Sequence, residues 1–475
     1  RLFCVPPVRV KGRGRPPSPD APLEEVDPAC FQTQDEERLF VLGGCADLPP
    51  VVAERLLKPG AAIGPGDRLG GWIATQMRRW PETEAIVQHR VTFPCLWNEG
   101  GASERLTVGR SFVSTAPALW SCSTPLEVLG EYDVVVVGAG TAGAAAAIAA
   151  ARQGVRTLAL EYQDGPGGIG TLGLIVKPYH GRCVGFAAEV PFPDHAEWKM
   201  AWYREELAKA GGSLWTGWLG CGAWVEGREV TGVLVASPSG RGLIRARVVV
   251  DATGSGDLAA HAGAETRFGG LEEGDLALQG VGLASWPPGC DFRNDDCLLV
   301  DEWDLGDVAR ALAGRHAAEG SDFDWTPMIQ SRERRRIVGE WTLSYLDTIA
   351  GRTYDDSVVL SESDYDSHGY PSSPFFALLP HDDGSRRANH PAPGGCCYTP
   401  FRAFLPKGLE GILVGGVGIG MDRDVAALMR MQLDLANQGY ALGLAGAMAV
   451  KRGVPLRRIP VRELQRHLVE KGNLP

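Results

Sequence analysis

Three glycines with a fixed spacing offer the clearest chemistry in this sequence of 475 residues. Gly138, Gly140 and Gly143 follow the apolar run 134–137 and precede a stretch rich in alanine, which favours a helix. In such a turn the first glycine permits the tight bend, the second lets the backbone approach a pyrophosphate, and the third lets the helix pack close to the strand. The N–H groups and the dipole of the helix N-terminus attract phosphate. The pattern therefore predicts a dinucleotide-binding turn.

A carboxylate completes a β-α-β unit around this turn. A helix over 144–153, a stop at Gly154 and a second apolar strand over 155–160 follow the glycines, and Glu161 ends that strand. A carboxylate at this position can accept hydrogen bonds from a ribose 2′-OH. The unit predicts binding of a dinucleotide, but it does not by itself separate NAD from FAD.

Three later segments favour FAD. A glycine-dense loop over 165–171 follows Glu161 almost at once and suits close backbone contact with an extended cofactor. Two further apolar strands, over 247–250 and 411–414, run into the turns 251–254 and 415–416. Glycine-containing turns at several strand ends are expected where a parallel sheet binds a long ligand.

With these segments the sequence resembles the FAD-dependent oxidoreductase family that has the glutathione-reductase-type flavin fold, a distant relative of the succinate dehydrogenase and fumarate reductase flavoproteins. The resemblance covers about residues 130–475. It includes 332–339, which is similar to the family's RESRRIVG stretch, and 398–408, which is similar to its PYRALLPKG stretch. Residues 420–424 depart from the family, because Asp422 stands where relatives tend to have histidine.

The resemblance implies FAD as the cofactor. It places the first glycines and Glu161 at the ADP half of FAD, the loop 167–171 under the pyrophosphate and ribityl chain, and 252–254 beside the cofactor. Gly415 and Gly416 would precede a helix directed at the isoalloxazine ring. The expected cofactor-binding residues are Gly138, Gly140, Thr141, Ala142, Gly143, Glu161, Tyr162, Gly168, Gly170, Thr171, Ala252, Thr253, Gly254, Gly416 and Gly439.

The flavin carries the hydride chemistry, so the protein must supply orientation, charge and a proton acceptor. His368 is the first candidate for the base that takes the hydroxyl proton of an alcohol, and His180 is the second. For any single histidine, a place in a surface loop is the commoner outcome. Arg402 is a candidate for holding an anionic group or stabilising reduced flavin. The residues predicted to contact substrate are Asp422, Arg423, Arg430 and Tyr398.

Composition excludes several other classes of function. The net charge of −11 and the single basic run 332–336, broken by Glu333, argue against a nucleic-acid partner. Eleven cysteines without a Cys-x-x-Cys pair leave a metal site unsupported. Residues 134–151 lack charge, but their glycines fit a strand, a turn and a helix better than a membrane span. The missing charged-then-apolar leader favours a cytoplasmic location.

The predicted fold class is α/β: a Rossmann-type FAD-binding domain with an inserted α+β substrate domain and an N-terminal, mostly β or irregular module. Short strands are expected over 105–108 and 111–114, and helices over 51–57, 425–450 and 461–470. The predicted domains are 1–130, the N-terminal module; 131–268, the first part of the FAD-binding domain; 269–395, the substrate or cap domain; and 396–475, the closing strand and C-terminal helices.

The leading functional hypothesis is a dehydrogenase or oxidase that moves a hydride from a small hydroxylated substrate to FAD. A C=C reductase of the fumarate reductase type and a non-catalytic flavin-binding accessory protein are the alternatives. The middle region shows no second strand-glycine-helix-acid unit, so we expect no NAD(P)H site. The electron acceptor, whether quinone, carrier protein or oxygen, stays open, as does the oligomeric state.

Overall fold

The computed structural model describes residues 9–58, 60–80, 100–104, 125–192, 195–267, 281–286, 293–297, 300, 305–319, 324–326, 328–332, 334–363, 366 and 395–475. The chain divides into two compact units, Arg1–Arg90 and Val91–Pro475. The strands predicted over 105–108 and 111–114 lie outside the described residues. The domain boundaries predicted from the sequence stay predictions.

The first unit has a small apolar core of its own. Two helices, α1 (Pro50–Leu56) and α2 (Ile63–Met77), join two 3₁₀ turns in forming it. Helix α1 confirms the helix predicted over 51–57, and Pro50 at its first turn starts it without losing a needed N–H. The side chains of this core include those of Leu23, Phe31, Leu48, Leu56 and Leu69.

The second unit contains the glycine-rich motifs. Its strands in chain order are β1 (Gly101–Ser103), β2 (Glu127–Val137), β3 (Thr157–Glu161), β4 (Ser213–Thr216), β5 (Leu219–Glu226), β6 (Glu229–Ser237), β7 (Gly240–Asp251), β8 (Thr266–Arg267), β9 (Val281–Trp286), β10 (Arg293–Cys297), β11 (Asp324–Trp325), β12 (Gln330–Ser331), β13 (Arg336–Ile337), β14 (Ser357–Ser363), β15 (Gly395–Pro400) and β16 (Ile412–Val414). Its helices are α3 (Thr141–Arg152), α4 (Ala196–Lys209), α5 (Asp257–His261), α6 (Leu305–Glu319), α7 (Tyr345–Ile349), α8 (Arg423–Met429), α9 (Gln432–Arg452) and α10 (Val461–Lys471).

The main sheet has the strand order β1-β5-β6-β7-β2-β3-β4, with β16 also paired to β7. Strands β16, β7, β2, β3 and β4 run parallel, so their carboxyl ends share one edge of the sheet. The end of β2 is buried, which explains its uninterrupted run of valines. Strands β5, β6 and the first half of β7 form an antiparallel extension. The predicted α/β fold with a Rossmann-type parallel sheet is thereby confirmed.

One helical expectation needs correction. The helix predicted over 425–450 is two helices, because the chain becomes extended at Met431 between α8 and α9. Residues 334 and 335 lead into β13, where Arg336 pairs with Arg267 of β8. The C-terminal helix α10 is confirmed and ends at Gly472, which has the left-handed φ of 83°.

A smaller sheet lies within the range predicted for the substrate domain. Strand β9 pairs antiparallel with β10, β11 and β12, and α6 follows β10 in the chain. Strands β14 and β15 form a separate antiparallel pair. This segment therefore has mixed helix and strand content without parallel strands among the residues that the structure describes.

Asp434 joins three parts of the second unit. It lies fully buried in the first turn of α9, and its two carboxylate oxygens accept hydrogen bonds at 2.8 Å from the backbone N–H groups of Arg182 and Glu362. Burial raises the pKa of Asp434 to about 6, against the opposing effect of these two donors. The carboxyl of Asp434 thus keeps its proton up to a higher pH in the folded state than in the unfolded state.

This shift predicts that the free energy of unfolding depends on pH, and that Asp434→Asn removes this dependence. Because the folded pKa lies above the unfolded one, the stabilisation is present below about pH 4 and is lost as the pH rises through about 6. The free energy of unfolding of the wild type should fall by roughly 2 kcal/mol relative to the variant between pH 4 and pH 7. Chemical denaturation across this range measures it, with Asp355→Asn, an exposed position, as control. A difference that does not change with pH would refute the assignment.

Candidate functional site

A cavity of about 840 Å³ lies at the carboxyl edge of the parallel strands. The last residue of β2, the last two of β3 and the turns that follow β7 and β16 all line it. Helix α3 begins at this cavity, and so does α9. Its volume is at the upper end of the ~300–1,000 Å³ typical of ligand sites. The topology therefore brings the glycine-rich turns of the sequence to one ligand-sized space.

The three glycines of the first turn have separate roles. Gly138 has a left-handed φ of 85°, and a Cβ there would lie 2.6 Å from the carbonyl oxygen of Ala252. A Cβ on Gly143 would lie only 1.8 Å from the carbonyl oxygen of Gly138, so Gly143 permits helix packing. A Cβ on Gly140 would meet nothing closer than 4.0 Å, at Gly168. Gly140 therefore leaves room in the cavity itself, and Gly143 does not line it.

Glu161 is buried at the end of β3 with part of its hydrogen-bonding capacity in use. One carboxylate oxygen accepts from the N–H of Ala139 at 2.8 Å, and the other from the N–H of Gln163 at 3.0 Å. Burial raises the pKa of this carboxyl, and the backbone donors oppose the rise. The N–H of Tyr162 is a further backbone donor to this carboxylate, which retains one lone pair that a ribose hydroxyl can use. Tyr162 and Trp218 line the same part of the cavity.

The loop 165–171 packs against the first glycine turn. The N–H of Gly167 donates to Ala139 at 2.7 Å, and the Thr141 hydroxyl donates to the carbonyl of Gly167 at 3.1 Å. Gly168 lines the cavity, whereas Thr171 is fully buried and donates to the carbonyl of Pro166 at 2.8 Å. The loop therefore has a ligand-facing part and a supporting part.

Sequence reasoning missed a polar pair beneath this loop. A Cβ on Gly170 would lie 2.2 Å from Oε1 of Gln432 and 2.8 Å from Nζ of Lys199, which explains the glycine. Lys199 donates to Gln432 at 3.2 Å, and Gln432 donates to the carbonyl of Ile175 at 2.7 Å. Burial lowers the pKa of Lys199 to about 8. Gln432 lines the cavity, so the pair connects the supporting side of the loop to the site.

The turn after β7 is fixed by a buried carboxylate. Asp251 accepts from the Thr253 hydroxyl at 2.7 Å and from the N–H of Ala259 at 2.9 Å. Burial, together with the nearby charge of Asp257, raises the pKa of Asp251 to about 6. Asp257 pairs with the buried Arg335, whose Nε also donates to the carbonyl of Ser255. The cavity-lining residues of this turn are Ala252, Thr253 and Gly254.

The turn after β16 is held by α9. The N–H of Gly416 donates to Oε1 of the buried Gln438 at 2.6 Å, and Gly416 has a φ of 75°. Met431, Gln432 and Leu435 place the first turn of α9 against the cavity. Helices α3 and α9 thus both direct their N-termini, with the positive end of the helix dipole, toward this space. An anionic or electron-rich ligand is favoured there.

Gly439, predicted to bind the cofactor, lies where α9 packs on α3. A Cβ on Gly439 would lie 1.9 Å from the carbonyl oxygen of Ala142, and one on Gly443, one turn later, 2.0 Å from that of Ala146. Neither glycine is among the cavity-lining residues. Their absent side chains let α9 approach α3 closely, which keeps both N-termini at the same cavity.

Gly443→Ala is expected to destabilise the protein although Gly443 does not line the cavity. The added methyl group must displace backbone, which costs about 1–3 kcal/mol and outweighs the gain in helix propensity. Gly446→Ala, on the same helix, supplies the control, because its methyl group meets side-chain methyls and no backbone, the nearest being on Val248 at 3.3 Å. Urea denaturation should show a lower free energy of unfolding for the first variant alone. Equal stabilities would contradict the packing role.

Four cationic side chains also line the cavity. Lys177, Arg332, Arg334 and Arg430 line it, together with Asp366. Arg430 donates to a carboxylate oxygen of Asp366 at 3.0 Å and also to its backbone carbonyl. Arg430, predicted to contact substrate, is therefore at the site, while the lining arginines 332 and 334 were not assigned to it from the sequence. Their place within the RESRRIVG-like stretch was the available signal.

Arg402 lies apart from this cavity. Its guanidinium stacks on Trp341 at 4.7 Å and on Tyr354 at 5.7 Å, and it pairs with Asp356 at 3.5 Å. It is not a cavity-lining residue. These contacts pack the guanidinium against two aromatic rings, and its predicted contact with an anion or the flavin stays a prediction.

The other predicted catalytic and substrate residues fall into two groups. His180 is exposed and contacts the ring of Tyr179. Tyr179 lines the cavity, but His180 does not. Three further residues lie outside the cavity lining: Tyr398 in β15, Asp422 before α8 and Arg423 in α8. His368 lies outside the described residues, two positions after Asp366, and its role stays a prediction.

These residues fit a dinucleotide of the FAD type. The space beside Gly140 is open to a pyrophosphate, α3 offers its free N–H groups, and Glu161 offers a lone pair to a ribose. The α9 N-terminus and the arginines suit an electron-rich ring or an anion. A family model described as FAD dependent oxidoreductase matches residues 133–283 and 298–468, which is more than half of the chain. The chain belongs to this family. It is an FAD-dependent enzyme of the oxidoreductase class.

Solved structures of several flavoproteins and related proteins are similar to it at a low level. THI4 of Thermovibrio ammonificans is 21% identical, with 28% of this chain and 61% of that chain covered and a TM-score of 0.24. A geranylgeranyl bacteriochlorophyll reductase-like protein of Thermoplasma acidophilum is 13% identical, with 72% and 84% covered and a TM-score of 0.34. The anhydrotetracycline hydroxylase OxyS of Streptomyces rimosus is 15% identical, with 71% and 65% covered and a TM-score of 0.33.

The part of this chain that matches THI4 covers 61% of the length of THI4. No curated protein matches its sequence. Among the residues that the structure describes, no helix is long and apolar enough to cross a membrane.

Proposed function

We propose that this FAD-dependent oxidoreductase oxidises a small hydroxylated organic substrate and transfers the hydride to FAD. The observation that carries the proposal is the continuity of one cavity from Gly140 and Glu161 to Arg430 and Asp366. The first pair suits the nucleotide half of FAD, and the second supplies polar groups for a substrate beside its reactive half. The proposal includes a relation to the glutathione-reductase-type fold and to the succinate dehydrogenase flavoproteins. It also includes a cytoplasmic location.

The protein's own residues have defined tasks in this reaction. The chemistry that FAD supplies when bound is the acceptance of a hydride. Oxidation of an alcohol breaks its C–H and O–H bonds, so a base must take the hydroxyl proton as the hydride leaves the carbon. We assign that base to His368. The positive ends of α3 and α9 and the guanidinium of Arg430 stabilise the negative charge that accumulates in the cavity.

A C=C reductase is the second candidate, and the arginines favour it. In such a reaction the electrons pass from the reduced cofactor to the substrate. It needs a cationic proton donor and groups that bind the anionic groups of the substrate. Arg332, Arg334 and Arg430 all line the cavity. Arg402 cannot contribute in this way while it stacks on Trp341.

An anaerobic assay in both directions separates the two reactions. Oxidised holoenzyme is mixed with a panel of small alcohols and hydroxy acids, and photoreduced holoenzyme with a panel of α,β-unsaturated acids, while the flavin absorbance is followed. We expect bleaching in the first experiment. Reoxidation in the second without bleaching in the first would favour the reductase, and a flavin unchanged by either panel would favour the accessory protein.

NADH and NADPH are expected to reduce the flavin slowly or not at all. The described strands of the smaller sheet pair antiparallel, which does not provide the parallel strand ends at which nicotinamide cofactors bind. Stopped-flow mixing of either nucleotide with oxidised holoenzyme under anaerobic conditions measures the rate. Reduction as fast as that by the organic substrate would contradict the prediction.

A further inference from the structure

We propose that the substrate of this enzyme carries a carboxylate and that Arg334 binds it. The inference rests on the proposed function, because it concerns cationic residues that line the same cavity. It adds a substrate class and a binding residue that were assigned neither by the sequence patterns nor by the family match.

Four cations are among the described residues that line the cavity: Lys177, Arg332, Arg334 and Arg430. Arg430 pairs with Asp366, and Lys177 and Arg332 have interactions of their own. The two other acidic residues of the lining also have partners. Glu161 accepts from backbone N–H groups, and Asp257 pairs with Arg335. Arg334 is therefore the cation that needs a partner.

Arg334 is the cation that best fits a ligand. It lines the cavity, it is half-buried, and within the described part of the chain its guanidinium has neither an ion-pair nor a hydrogen-bond partner. Its Cδ would lie 3.7 Å from a Cβ on Gly254, so its stem rests on the turn after β7. The adjacent Arg335 fixes this segment through Asp257 and the carbonyl of Ser255. The guanidinium is thus held at the cavity without being neutralised.

The ligand group that matches this arrangement is a carboxylate. A guanidinium presents two parallel N–H groups that a carboxylate accepts in a bidentate manner. The pyrophosphate of FAD already has the N-terminus of α3 beside Gly140 and Thr141 as its donor site. An anion on the substrate therefore accounts for a cation that the cofactor does not require.

Binding of malonate to the holoenzyme tests this inference. Malonate has neither a hydroxyl group nor a C=C bond, so its binding does not depend on whether the flavin is reduced by alcohols. At constant ionic strength we expect malonate to perturb the flavin absorbance saturably, and the uncharged malonamide not to do so. In Arg334→Gln the dissociation constant for malonate should rise by roughly tenfold or more, with Arg334→Lys between the two.

Arg241→Gln is the matched control. It removes the same charge from an exposed residue that pairs with Glu104, outside the cavity lining. It should bind malonate as the wild type does. Unchanged affinity in Arg334→Gln, or no perturbation of the wild type, would overturn the inference. Loss of FAD from Arg334→Gln on gel filtration, with FAD retained by Arg241→Gln, would also overturn it, because Arg334 would then hold a cofactor phosphate.

Discussion

Gly140→Val is expected to give a folded protein that is purified without FAD. A Cβ at this position meets no protein atom closer than 4.0 Å, so the first side-chain carbon of the valine does not clash with the fold. The side chain projects into the cavity in front of the N-terminus of α3, where the pyrophosphate must approach the backbone. The variant should therefore lose the yellow colour and keep its thermal unfolding transition.

Gly143→Ala provides the contrasting variant. Its methyl group would lie 1.8 Å from the carbonyl oxygen of Gly138, so it disrupts the packing of helix on strand and not the cavity. We expect it to lower the unfolding temperature, whereas Gly140→Val lowers FAD content alone. Absorbance ratios at the flavin and protein bands, together with melting curves of the FAD-free proteins, measure both. FAD bound normally by Gly140→Val would show that the cofactor does not lie at this turn.

His368→Ala is expected to slow reduction of the flavin by substrate at least tenfold. A positioned base contributes about 10²–10⁴-fold to such a step, and an imidazole can accept a proton near neutral pH. Asp366, two residues earlier, lines the cavity. FAD content and thermal stability should stay close to those of the wild type, and the deficit should be largest at low pH, where solvent bases are scarce.

Two other histidine variants serve as a control and as a test of the second candidate base. His467→Ala changes an exposed residue of α10 and should leave the rate of flavin reduction unchanged. His180→Ala tests the second candidate, which the structure places beside Tyr179 and outside the cavity lining. Unchanged reduction in His368→Ala would refute its role as base, and slow reduction in His180→Ala instead would transfer that role. Unfolding of His368→Ala would indicate a structural role.

The cofactor half of the site could be predicted because its signals are local. The strand, the glycine turn, the helix and Glu161 lie within one β-α-β unit, and each residue type has a direct physical reason to be there. The break between α8 and α9 could not be predicted, since the residues around Met431 include neither glycine nor proline. The end of α8 is therefore set by tertiary contacts and not by a local sequence signal.

The substrate half could not be predicted because it depends on distant contacts. Arg402 and Arg334 are the same residue type in two family-like stretches, but one stacks on Trp341 and the other lines the cavity. Lys199 and Gln432 meet although they are 233 positions apart. Such contacts depend on how helices and loops pack, which no single-sequence pattern specifies.

The most direct test of the account is anaerobic stopped-flow reduction of the holoenzyme by a small hydroxy acid, with hydrogen or deuterium on the carbinol carbon. The proposed reaction breaks that C–H bond as the hydride passes to FAD. We predict saturable bleaching of the flavin band that is slower with the deuterated substrate. No bleaching by any hydroxylated substrate, accompanied by reoxidation of the reduced enzyme by an unsaturated acid, would contradict the account.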